Sequence, residues 1–165
     1  MTMTSRERVN AVLNHEIPDR VPIIIGVSNA TGIKIRPYRG LLKLMNLEVE
    51  EKYIYDWPEL GTALPDEWVM QRLHSDVRGV LDRFPLEVYQ RNQSRPPHTP
   101  FIDDWGGGQM EIGPDEWFPG IAPIPDATTV DVLENYPWPN MDDPYRVSHV
   151  REQSLKLHQE YLYAI

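Results

Sequence analysis

Sixteen of the 165 residues are proline, and eleven of them lie from Pro85 to Pro144. That share is about 10%, twice the usual level of roughly 5%. An interior proline removes a donor and clashes with the preceding helical turn. The spacing therefore predicts that residues 83–125 are mostly loop, broken by one hairpin. Trp105, Trp117, Phe118 and Trp138 are interleaved with the prolines. Buried aromatics of that size can anchor long irregular segments.

Outside this stretch the periodicity is regular. Thr4 and Glu7 have capping-box spacing, and Val9, Val12 and Leu13 follow, which predicts a helix over 5–15. Val21-Pro22-Ile23-Ile24-Ile25-Gly26-Val27 reads as a strand buried on both faces, as in a parallel sheet. Residues 37–47 predict a helix with Leu41, Leu44, Met45 and Leu47 as its apolar stripe, and Pro65 starts another over 65–74. Asp76 to Leu81 reads as a second strand. Phe101–Trp105 and Gln109–Ile112 flank Gly106-Gly107-Gly108 as a hairpin. Thr128 with Asp131 predicts a short helix ending before Pro137. Asp143-Pro144 starts the longest helix, 144–160, with Val147, Val150, Leu157 and Tyr161 on one face. The run Tyr161 to Ile165 reads as the opening of a third strand. Alternating helices and strands imply a parallel α/β architecture in one unit, 1–165, with no second domain.

Leu, Ile, Val and Phe make up 42 residues, enough for a core. Sixteen basic against 25 acidic residues give a net charge of −9, which speaks against nucleic acid or an anionic membrane as partner. There is no run of 18 apolar residues, and the first residues lack an apolar signal core, so the expected compartment is cytoplasmic. There is no Cys, which excludes a disulfide scaffold, a thiol nucleophile and Cys-ligated zinc in these residues. His15, His74, His98, His149 and His158 have no metal-site spacing, so no metal ligand is expected.

Several side chains are candidates for binding a small-molecule substrate. Ser28 and Asn29 follow the first expected strand, and Arg78 and Asp82 belong to the end of the second. In a barrel, those ends form the active face. Asp104 and Trp105 place a carboxylate beside an apolar plate in the hairpin, a lid for a small amphipathic substrate. Arg36 and Arg39 are an alternative, two guanidinium forks that would clamp a carboxylate. Asp142 and Asp143 read as caps of the helix that follows. The triple glycine lacks the Lys-Ser/Thr and the strand-to-helix setting of a phosphate loop.

Four stretches, in order, resemble the uroporphyrinogen decarboxylase superfamily, which includes corrinoid-linked methyltransferases. They are TSRERVNAVLNHEIPDRVPIIIGV, LHSDVRGVLDRFP, DDWGGG and IPDATTVDVLENYPWPNMDDPYRVSHVRE. The resemblance implies a TIM-type (β/α)8 barrel, of which these residues would be the N-terminal portion: two to three strands, helices and a hairpin insertion. It implies a zinc ion held by the other half, and a corrinoid protein as partner. The decarboxylase branch carries an Arg-Gln-Ala-Gly-Arg motif after the first strand, where this chain reads Ser28-Asn29-Ala30-Thr31-Gly32. Asp82 lies one residue from the position of that branch's catalytic Asp. The methyltransferase/demethylase branch is therefore favoured, with porphyrinogen decarboxylation or a non-catalytic remnant as alternatives. The partners expected are the missing C-terminal half or a second copy of the chain, because open strand edges template association.

Overall fold

The computed structural model describes residues 2–114, 116–124 and 129–165. It is a mixed α/β fold with two small antiparallel sheets. Helix α1 (Ser5–Leu13) starts at the expected capping box: Thr4 accepts from the Glu7 amide, and the Glu7 carboxylate accepts from the Thr4 amide. Thr4→Ala removes one side of this reciprocal cap, and urea unfolding should show a loss of about 1 kcal/mol.

Strand β1 (Ile33–Lys34) pairs with β2 (Thr62–Ala63), and helix α2 (Ile35–Leu44) packs on them. The core is Tyr38, Leu42, Ala63 and Val69, with Ile33, Leu41, Leu47, Val49 and Leu73 around it. The expected stripe of α2 is rotated. The helix starts at Ile35, its buried positions are Ile35, Tyr38 and Leu42, and Leu44 faces solvent. The next helix, α3 (Glu67–Arg72), is shorter than expected: Asp66 is its N-cap, and Pro65 stands before it.

The proline-rich stretch is more regular than its composition predicts. Helix α4 (Leu86–Gln93) opens directly after Pro85, which occupies the N-cap. Strand β3 (Phe101–Ile102) pairs with β4 (Gly108–Gly113) as expected, but β4 also pairs with β5 (Glu116–Ile121). Pro119 lies in β5, the outer strand, the setting in which a sheet tolerates proline. The hairpin turn closes when Asp103 accepts from the Gly107 amide (2.7 Å). Gly106 has φ 76°, and a Cβ there would meet the Tyr136 hydroxyl at 2.5 Å, so this turn requires glycine.

Thr128, expected to start the next helix, lies outside the described residues. Helix α5 (Val130–Glu134) has Thr129 as N-cap. The long helix expected over 144–160 is interrupted at Ser148-His149, giving α6 (Pro144–Val147) and α7 (Val150–Glu160). Asp143 caps α6 by accepting from the Tyr145 amide (2.9 Å), as its position before Pro144 predicts.

The three segments read as parallel strands lie side by side without forming a regular sheet. Ile23 meets Asp76, and Val27 approaches Gly79, so 21–27 and 76–81 run in the same direction. Val77 makes a parallel bridge to Ala164 on the other side. Side chains replace ladder bonds here. The Ile23 amide donates to Asp76 Oδ2 (2.8 Å) and the Ile25 amide to Ser75 Oγ (3.1 Å). The first segment is not buried on both faces, since Val21 and Ile24 are exposed.

Asp76 is fully buried at the N-terminal end of the middle segment. Its Oδ1 accepts from Ser5 (2.8 Å), Arg8 (2.6 Å) and Arg20 (2.9 Å), and its Oδ2 from Arg20 (2.7 Å) and the Ile23 amide. Arg8 also grips Asp19 (2.6 Å). Burial pushes the Asp76 carboxyl up, but the hydrogen bonds from Arg20 and Ile23 outweigh it and hold it below the ordinary range. The Arg8 hydrogen bond holds Asp19 far below that range. A folded pKa below the unfolded one means that this stability is present above the unfolded value, near about pH 4, and is lost as pH falls. Thermal melts should show a Tm flat above that pH and dropping steadily below it.

Candidate functional site

The C-terminal end of the middle segment opens into a cleft of about 300 Å³ lined by residues that include Tyr53, Tyr55, Asp82, Tyr89 and His149. A run of ring contacts backs the tyrosines of its wall. Phe84 packs on Tyr55 (5.0 Å), Phe101 (5.6 Å) and Tyr89 (6.4 Å), and Tyr89 meets Tyr145 edge-on (6.4 Å). Phe101 is fully buried, so the hairpin's first strand is anchored in this wall.

Asp82 is the polar centre of the cleft. It accepts from the Tyr55 hydroxyl (3.0 Å) and from Arg146 (3.3 Å). Arg146 also donates to Asp104, and both of those side chains are buried. One guanidinium on α6 therefore ties the end of the middle segment to the hairpin. The Arg83 amide donates to the Arg146 carbonyl (3.0 Å), fixing α6 against that segment. His149 follows one turn later. Its Nε2 lies 2.8 Å from the Leu81 carbonyl, an acceptor, so Nε2 carries the proton.

Burial first, then the hydrogen bond to Asp82, pushes the Tyr55 phenol up to about 12. Tyr55 therefore stays protonated and donates to Asp82 at any ordinary pH. Burial and then the Asp56 charge raise the Tyr89 phenol. Tyr55 and Asp56 are consecutive residues with positive φ, 59° each. Such backbone costs about 1–3 kcal/mol per residue and clusters at ligand sites.

Of the residues singled out in the sequence, only Asp82 and Asp104 are brought together. Ser28 shares a hydrogen bond with the Thr31 hydroxyl (3.1 Å) within its own loop, and Asn29 is exposed. Arg78 is buried. It bonds both Glu67 oxygens (2.7 and 2.9 Å) and the Ser75 and Val77 carbonyls, and lies over the Tyr163 ring at 3.6 Å. Trp105 meets Trp138 edge-on at 6.2 Å, and its carbonyl accepts from Tyr136, so it ties the hairpin to residues 136–138. Arg36 pairs with Glu116, and Arg39 holds both Glu51 oxygens (2.8 Å each). The two arginines do not converge on one point.

Arg146, Tyr55 and His149 are the site residues that sequence reasoning missed. Arg146 and His149 are three apart with Gln153 four further on, the spacing of one helical face, and all three approach the cleft. The polar character of that face hid it from an apolar-stripe reading.

Among the described residues no group of three or more His, Asp or Glu could hold a metal ion. The resemblance places its zinc ligands in the other half of the barrel, outside these residues. Among the described residues no helix is long and apolar enough to cross a membrane. No protein-family model, no curated protein and no solved structure matches this chain.

Proposed function

We propose that the chain forms the first part of a uroporphyrinogen decarboxylase-like (β/α)8 barrel that moves a methyl group from a small methylated substrate to a corrinoid protein. The observation that carries this reading is Asp82, gripped by Tyr55 and Arg146 at the C-terminal end of a parallel segment. Barrel enzymes place their reactive side chains at those ends. The side-by-side order of the segments 21–27, 76–81 and 161–165 supports a barrel wall. The exposed Val21, Ile24, Leu162 and Ile165 support cover by further strands or by a second copy.

Two observations favour methyl transfer over decarboxylation of a porphyrinogen. Arg36 and Arg39 are engaged with separate carboxylates, leaving no clamp for a polyacid. The cleft is small and carries Asp56 and Asp82, which repel an anionic substrate.

In this reading the methyl group leaves without its bonding electrons, which remain on the substrate heteroatom. The corrinoid partner supplies the acceptor. Tyr55 and Asp82 hold the substrate's polar end, and the tyrosine rings exclude water from the methyl group.

The test is an assay of methylated amines and ethers with reduced corrinoid, using the protein alone and with the polypeptide encoded immediately downstream. Methylated corrinoid should form, and Asp82→Asn should slow it about 100-fold, the scale of one lost oriented polar contact. Carbon dioxide release from a porphyrinogen, with no methyl transfer, would overturn the proposal.

A further inference from the structure

We infer that the cleft beside Asp82 takes a small alkylammonium ion. This rests on the reading of that cleft as the substrate site, and it narrows the substrate class. Tyr53, Tyr55 and Tyr89 line the cleft, and a tyrosine ring carries an electron-rich face that attracts a cation. Asp56 and Asp82 lie in the same lining. The cation facing them there is Arg83, whose guanidinium carbon lies 5.7 Å from the centroid of the Tyr145 ring. Arg146 is shared between Asp82 and Asp104 and cannot neutralise both. Within the lining itself, two carboxylates (Asp56 and Asp82) stand against one guanidinium (Arg83).

The geometry of Asp82 suits an incoming cation. Its side chain is 40% exposed, so it is reachable, whereas Asp104 is 3% exposed and closed off. Tyr55 and Arg146 each occupy one Asp82 oxygen, which orients the carboxylate and leaves a lone pair on each oxygen for an ammonium N–H. Because the Tyr55 hydrogen points to Asp82, the phenol oxygen is itself an acceptor. An alkyl chain would contact the rings while the ammonium met these oxygens. A cleft of about 300 Å³ lies at the lower end of the range for small-molecule sites. A neutral alcohol of the same shape gains nothing from the charge, and a carboxylate is repelled.

The experiment uses propylammonium, 1-propanol and propionate as probes, with the ring resonances of Tyr55 and Tyr89 as the readout. Propylammonium should shift both tyrosines saturably, and bind about tenfold or more tightly than 1-propanol. Asp82→Asn keeps the shape of the side chain and should weaken propylammonium about tenfold, leaving 1-propanol unchanged. Asp56 is exposed and makes no structural ion pair among those described, so Asp56→Asn is a second variant that folds normally; it should weaken the same probe about threefold. Equal binding of 1-propanol, or tighter binding of propionate, at these tyrosines overturns the cation assignment and leaves the cleft as a substrate site. A folded protein in which no probe moves either tyrosine overturns both.

Discussion

Asp76→Ala should destabilise the chain by about 3–5 kcal/mol, the cost of removing one partner from a buried ionic group. Arg8 is 7% exposed and would keep only Asp19 and the Met3 carbonyl, Arg20 would keep only the Val21 and His74 carbonyls, and the Ile23 amide would lose its acceptor. For a chain of this size each kcal/mol is worth roughly 2–4 °C in Tm. Asp76→Asn offers no rescue. One of its two oxygens becomes an NH2 group, and both original oxygens already accept from N–H donors. Calorimetry of both variants against the parent checks this, and a Tm within about 2 °C of the parent would show that the ionic cluster carries little.

Arg146→Ala should be nearly as damaging, about 3–5 kcal/mol, because it strands Asp104. That carboxylate is 3% exposed, and Arg146 is its ion-pair partner among the described residues. The pair with Asp82 adds less, since Asp82 is 40% exposed and solvent screens it. Without Arg146, that buried carboxylate has no charge partner among the described ion pairs. Arg146→Lys keeps a charge but not two forked contacts, so it should recover only part of the loss.

Local chemistry made some elements legible in advance. The Thr4–Glu7 capping box, the glycine turn after Asp103 and the Asp143 cap each depend on side chains within a few residues of one another. Helix α4 and strand β5 were not legible, because a count of prolines ignores where each one stands. Pro85 sits at an N-cap and Pro119 on an outer strand, the two settings where a missing amide is harmless. The segment 21–27 falls short of a regular strand for a related reason. Its β-branched run specifies an extended chain, but Asp76 and Ser75 reach in and take its amides. The fully buried positions of α2 depend on what packs against it, which periodicity alone could not orient.

The site was half legible. Asp82 and Asp104 stand out in the sequence from their places after an expected strand and in the hairpin. The residue joining them, Arg146, sits 64 residues from one and 42 from the other. Its helix is four residues long and gives no local sign of being buried. Arginine is almost never buried unless it is paired, and its two acidic partners are remote in sequence.

Whether Arg146 locks the hairpin to the Asp82 end of the cleft is settled most directly by a double-mutant cycle on Asp104 and Arg146. Asp104→Asn, Arg146→Met and the double variant would be unfolded in urea, with the ring signals of Tyr55 confirming an intact cleft in each. A direct buried contact gives a coupling energy toward the upper end of the usual range, about 2–3 kcal/mol. A coupling below about 0.5 kcal/mol, the level of residues that do not touch, would contradict the arrangement on which the site is built.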